Sequence, residues 1–141
     1  MTIAEFDHLD TAQKRTLLLP CCGSATWANK IIAALPAEDL IDLLEIVEEQ
    51  WYACTKQDWL EAFAHHPKMG DLSSQDLIEG NKAYEEKFGY TFIINPAGKS
   101  ADELLASLKA RLKNNAEEEV TIAMEEQLKI TKQRLEKLFT T

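Results

Sequence analysis

Only one stretch of this chain is built like a β-strand. Tyr90-Thr91-Phe92-Ile93-Ile94 is aromatic and β-branched, and so extended rather than helical. Five residues with no second run of the kind are too few to build a sheet. The 141 residues are therefore expected to form an all-α fold, a single-domain helical bundle over 1–141 with one short extended segment.

The rest of the chain supplies helix signals. Ser24 caps a helix from about Ala25 to Leu35, where Trp27, Ile31, Ala34 and Leu35 recur at helical spacing. After Pro36, residues Ala37 to about Ala53 place Leu40, Leu43, Leu44, Val47 and Trp51 on one face. Thr55 with Asp58 resembles a capping box that opens a short helix through Trp59, Leu60 and Phe63, with Pro67 ending it. A further helix runs from about Ser74 to Phe88 and stops at Gly89, a left-handed C-cap candidate. Ser100 and Glu103 form a capping box before Leu104, Leu105, Leu108 and Leu112. A last helix, about 36 Å long, spans Ala116 to Phe139.

Composition narrows the partners. A formal net charge of −9 repels phosphate backbones and anionic membranes, so neither nucleic acid nor a membrane is an expected partner. No apolar run approaches the ~20 residues that span a bilayer. The N-terminus lacks the basic-then-apolar order of a signal peptide. Cys21, Cys22 and Cys54 make an odd count, which favours reduced thiols, and their spacing is a weak zinc signal. A cytoplasmic protein without a metal is the expectation.

His65-His66-Pro67 is the most distinctive local feature. Neighbouring helical residues point about 100° apart, so the two imidazoles cannot serve one site. His66, fixed beside proline at a helix end, is a candidate general acid or base; the plainer alternative is a histidine capping carbonyls. Arg134, among Ile130, Leu135 and Leu138, could clamp a carboxylate or simply snorkel to water. Arg111 is open to the same two readings. The segment Phe92 to Pro96 could offer main-chain donors and acceptors to a planar polar ligand, or merely cross between helices. Trp27, Trp51 and Trp59 fit core packing. Glu117-Glu118-Glu119, at a helix start, reads as a solvated face rather than a metal site.

Several blocks together resemble the 2-oxo-4-hydroxy-4-carboxy-5-ureidoimidazoline (OHCU) decarboxylases. They are Cys21-Cys22-Gly23-Ser24 with Trp27; Asp58-Trp59-Leu60 leading to His65-His66-Pro67-Lys68-Met69-Gly70-Asp71; Asn81 with Tyr84-Glu85-Glu86-Lys87-Phe88-Gly89-Tyr90; Phe92-Ile93-Ile94; Gly98-Lys99-Ser100-Ala101; Arg111-Leu112-Lys113-Asn114; and Ile130-Thr131 with Arg134-Leu135. The ordered set covers nearly the whole chain.

The resemblance implies an all-helical fold and cofactor-free conversion of OHCU to (S)-allantoin and carbon dioxide, in urate degradation. By motif, His66 is the catalytic acid/base and Pro67 touches the substrate beside it. Phe92, Ile93, Ile94, Asn95 and Pro96 offer main-chain contacts, and Arg134 holds the substrate's anionic groups. A homodimer is compatible with the family. Two departures stand out. Asn95-Pro96 replaces the family's cysteine and alanine, and proline removes one donor. Between Asp71 and Leu72 the family has some two dozen further residues with a Ser-x-x-Glu-Gln signature, which supplies a carboxylate partner; nothing here matches it. The alternative to an active enzyme is thus a catalytically impaired relative that binds a ureide or a protein partner.

Overall fold

A computed structural model describes residues 1–66 and 74–139. Among them the fold is all-α, with eight helices and no strand: α1 Ile3–Asp7, α2 Thr11–Leu18, α3 Ala25–Ala34, α4 Leu40–Ala53, α5 Lys56–Ala64, α6 Gln75–Phe88, α7 Ala101–Arg111 and α8 Ala116–Leu138. None is long and apolar enough to cross a membrane.

Each helix starts on a side-chain acceptor that satisfies an orphan N–H of its first turn. Thr2 with Glu5 and Asp10 with Gln13 form reciprocal boxes on α1 and α2. Ser24 Oγ accepts from Trp27 N at 3.2 Å, and Asp39 Oδ1 from Asp42 N at 2.8 Å. On α5, Thr55 N donates to Asp58 Oδ2 at 2.9 Å while Asp58 N donates to Thr55 Oγ1 at 3.3 Å. Ser74, Ser100 and Asn115 cap α6, α7 and α8. Gly89 ends α6 at φ 88°, a left-handed conformation that a Cβ would strain.

Two helices and two boundaries differ from the sequence reading. Helices α1 and α2 were not anticipated. The helix expected from Ala37 starts at Leu40, because Asp39 is its cap and Glu38 N is taken by Asp42 Oδ2 at 2.8 Å. Helix α5 stops at Ala64 and tightens, with His66 N donating to Phe63 O at 3.1 Å, so His66 lies just beyond the helix.

The chain divides into two compact units. The first comprises Met1–Ala62 with Leu128–Thr141. Its buried core includes Phe6, Leu18, Trp27, Ile31, Leu43, Val47, Trp51, Leu135 and Phe139. Phe6 and Phe139 meet edge to face at 5.3 Å, and Trp59, half-buried, donates from Nε1 to Trp51 O at 3.0 Å. The second unit is Phe63–Gln127. There Leu77, Tyr84, Phe92, Ile94 and Leu108 are buried together, with Phe88, Tyr90, Leu104, Leu105 and Leu112 packed against them. Gly80 lets α6 lie close on α7, since a Cβ there would overlap the Leu108 side chain.

Candidate active site

The extended segment of the second unit is held by side chains instead of a neighbouring strand. Past Gly89 the chain takes no regular structure from Thr91 to Pro96, yet Phe92, Ile93 and Ile94 are all buried. Buried main-chain groups need partners. Asn81 Oδ1 accepts from Phe92 N at 2.8 Å and from Thr91 Oγ1 at 3.3 Å. Arg111 Nη1 donates to Ile93 O at 2.7 Å, with its guanidinium 4.4 Å from the Phe92 ring centre. Asn95 N donates to Glu126 Oε1 at 3.1 Å. Among the described residues, Ile93 N–H and both main-chain groups of Ile94 take no hydrogen bond.

Behind the segment lies an ion pair that the sequence reading missed. Glu119 is fully buried, which corrects the expectation of a solvated acidic face; only Glu117 and Glu118 are exposed. Glu119 Oε2 accepts from Arg111 Nε at 2.8 Å, Arg111 Nη2 at 2.5 Å and Tyr84 OH at 2.5 Å. Its other oxygen accepts from Asn114 Nδ2 at 3.1 Å. Burial and the bond to Glu119 push the Tyr84 phenol far above its ordinary range, so it stays a donor. Arg111 therefore neither snorkels nor awaits a ligand: its charge is spent inside the core.

His66, half-buried, has its Nε2 against Gln127 Oε1, while Gln127 itself is 1% exposed on α8. His65 is exposed. Within this unit, consecutive α8 residues thus reach two expected site elements: Glu126 the segment 92–96, and Gln127 the histidine. Pro67 and the Asp71–Leu72 junction lie outside the described residues.

Arg134 belongs to the first unit. It is half-buried, and Nη1 donates to the carbonyls of Pro20 and Cys21, both at 3.3 Å. Thr131 Oγ1 also donates to Cys21 O, at 3.1 Å. Among the described residues no carboxylate pairs with Arg134. The neighbouring thiols are unpaired and buried. Burial pushes Cys22 up to about 12 and Cys54 up to about 11, so both are neutral thiols rather than nucleophiles.

The comparisons with known proteins agree on one family. The family model described as OHCU decarboxylase matches residues 7–76 and 71–136, in two pieces that meet where the sequence departs from the family pattern. The uric acid degradation bifunctional protein TTL of Arabidopsis thaliana is 32% identical over 148 positions, covering 85% of this chain and 45% of that protein. A uric acid degradation bifunctional protein of Bacillus sp. (strain TB-90) is 33% identical over 154 positions, covering 99% of this chain and 31% of that protein. The chain thus spans less than half the length of these curated relatives. Both alignments are longer than the 141-residue chain, so each relative carries residues opposite a gap in it. An OHCU decarboxylase crystallised in the presence of (S)-allantoin is 34% identical, with a TM-score of 0.80, and the match covers 87% of this chain and 96% of that one. An (S)-allantoin synthase shares the fold at 22% identity and a TM-score of 0.84, over the whole of this chain and 55% of that one. By the family match along most of its length and by this likeness to a solved member, the chain belongs to the OHCU decarboxylase family.

Proposed function

We propose that this protein decarboxylates OHCU to (S)-allantoin and carbon dioxide in urate degradation, with residues 1–141 acting as one decarboxylase domain. The observation that carries this is the 34% identity to an OHCU decarboxylase crystallised with (S)-allantoin, across 96% of that chain. The substrate has no need of an external electron sink. As the bond to the carboxylate breaks, the electron pair passes into the adjacent ring imine, whose nitrogen takes a proton, and an enol remains. The enol hydroxyl then gives up its proton as the ureido-bearing ring carbon gains one, and delivery to a single face sets the S configuration. The protein's part is to hold the ring and to place one acid/base group beside it.

In this reading His66 moves the proton, with Pro67 against the substrate. The main chain of Phe92 to Pro96 grips the ring and ureido group, a role supported by the unclaimed groups of Ile93 and Ile94. Arg134 takes the anionic groups. Its present partners are neutral carbonyls, which leave its positive charge available to an anion. The protein works in the cytoplasm, consistent with three unpaired thiols, and a homodimer fits the family.

The test uses freshly generated OHCU and follows the circular dichroism of (S)-allantoin. Wild type should exceed the spontaneous rate, and His66→Ala should return it to that rate. Turnover that survives the substitution removes His66 from the mechanism. The longer alignments of the relatives keep a second reading in play, a ureide-binding protein without turnover. Thermal stabilisation by allantoin with no rate above background would establish it.

A further inference from the structure

We infer that Gln127 is a positioning residue, whose amide oxygen holds the His66 ring as its Nε2–H tautomer and so assigns proton exchange to Nδ1. This rests on the reading of His66 as the acid/base. The family signature missing from this chain is expected to bring a carboxylate to the histidine; the described residues bring an amide, and the difference has chemical content.

An amide oxygen can only accept. A neutral imidazole carries one N–H and one lone pair, and the nitrogen facing an amide oxygen has to be the one bearing hydrogen. His66 Nε2 faces Gln127 Oε1. Both residues are anchored: His66 by its N–H on Phe63 O at 3.1 Å, Gln127 by near-complete burial on a long helix. Because glutamine is uncharged and takes up no proton, it orients the ring without holding the imidazolium in an ion pair. The carboxylate of the same turn has one oxygen on the extended segment. Glu126 accepts from Asn95 N, and consecutive helical residues diverge by about 100°. The order Glu126-Gln127 therefore sets a carboxylate oxygen on the extended segment and a neutral acceptor on the ring.

The experiment is two-bond ¹H–¹⁵N correlation of the histidine rings in the full chain, at a pH where they are neutral. His8, His65 and His66 are assigned by single alanine replacements. Free imidazoles populate both tautomers. In the wild type, His66 should show the Nε2–H form alone. In Gln127→Leu, which fits the same buried space, the two forms should mix. Its kcat should then fall roughly tenfold, a fraction of the ~10²–10⁴ that a placed acid/base supplies, with KM little changed. Gln127→Glu should restore the single tautomer and raise the ring's titration midpoint, with the acid limb of the kcat profile, by about one pH unit or more. Glu126 is present in both proteins, so its field cancels from that difference. An Nδ1–H ring in the wild type overturns the inference, and so does an unchanged tautomer in Gln127→Leu. If instead His66→Ala retains turnover, the catalytic reading fails while the ring spectra still decide what Gln127 does.

Discussion

Two arginines, one in each compact unit, follow opposite rules. Arg111 is 8% exposed and surrounded: Glu119 neutralises it, Ile93 O takes its third bond and Phe92 covers its face. Arg134 is half-buried and, among the described residues, hydrogen-bonds two carbonyl oxygens at 3.3 Å. A buried guanidinium with a carboxylate in contact has already exchanged hydration for protein bonds, so it fixes structure and has little left for a ligand. One resting on neutral carbonyls keeps its field, and an incoming carboxylate gains a charge-assisted bond from it. The same residue type on the same apolar background thus divides into a charge spent inside the core and one set against neutral carbonyls, according to what neutralises it.

The largest expected effect tests the structural side. Glu119→Ala leaves Arg111 buried without its counter-charge, and unfolding in urea should show a loss of about 3–5 kcal/mol. A loss below 1 kcal/mol would mean that Arg111 finds water, and the contrast would collapse. Next comes Arg134→Ala. Hydrogen bonds to charged groups contribute about 1.5–3 kcal/mol, so kcat/KM for OHCU should fall by about thirtyfold, with stability changed by less than ~1 kcal/mol. A protein that lost stability and kept turnover would make the two arginines alike.

The smallest effect concerns the thiols near Arg134. Cys22 ionises at about 12 in the fold against an ordinary 9.0, so the unfolded chain gives up this proton first. Below pH 9 the thiol is neutral in both states and costs nothing. As pH climbs from 9 towards 12, the unfolded state gains and stability falls. Cys54, pushed up to about 11, adds to the lower part of that window. Urea midpoints between pH 8 and 10.5 should decline less steeply in Cys22→Ala than in wild type. Equal slopes would mean that the buried thiol ionises in the fold as readily as in water.

The sequence showed its local devices well. Ser24, Thr55 with Asp58, Gly89 and Ser100 act within one turn of their own position, so their roles could be read without knowing the fold. The solitary extended run was legible for the same reason. Thr2 with Glu5 and Asp10 with Gln13 carry equal signals, but only Phe6 and Leu18 are buried in α1 and α2, too few for periodicity to declare a helix. What stayed hidden was selection among equivalent residues. Three consecutive glutamates at a helix start look alike to the macrodipole, and only packing against Arg111 decides that Glu119 is the one inside. Likewise nothing at His66 signals a partner 61 residues away. The groups that the described residues set beside two expected site elements, Gln127 at His66 and Glu126 at Asn95, were not legible.

Glu119 and Glu126 lie seven residues apart on α8, two turns along nearly the same stripe. One secures Ile93 through Arg111, and the other secures Asn95 directly. The irregular segment therefore takes its spacing from a regular element, much as a vine takes the pitch of its trellis. A single residue inserted between these glutamates would turn everything beyond it by about 100°. It would pull Glu126 off Asn95 and Gln127 off His66 in one step, whereas many substitutions along the exposed side of α8 would leave both in place. The spacing of Glu119, Glu126 and Gln127 along α8 thus governs these contacts more tightly than the composition of the helix's exposed side does.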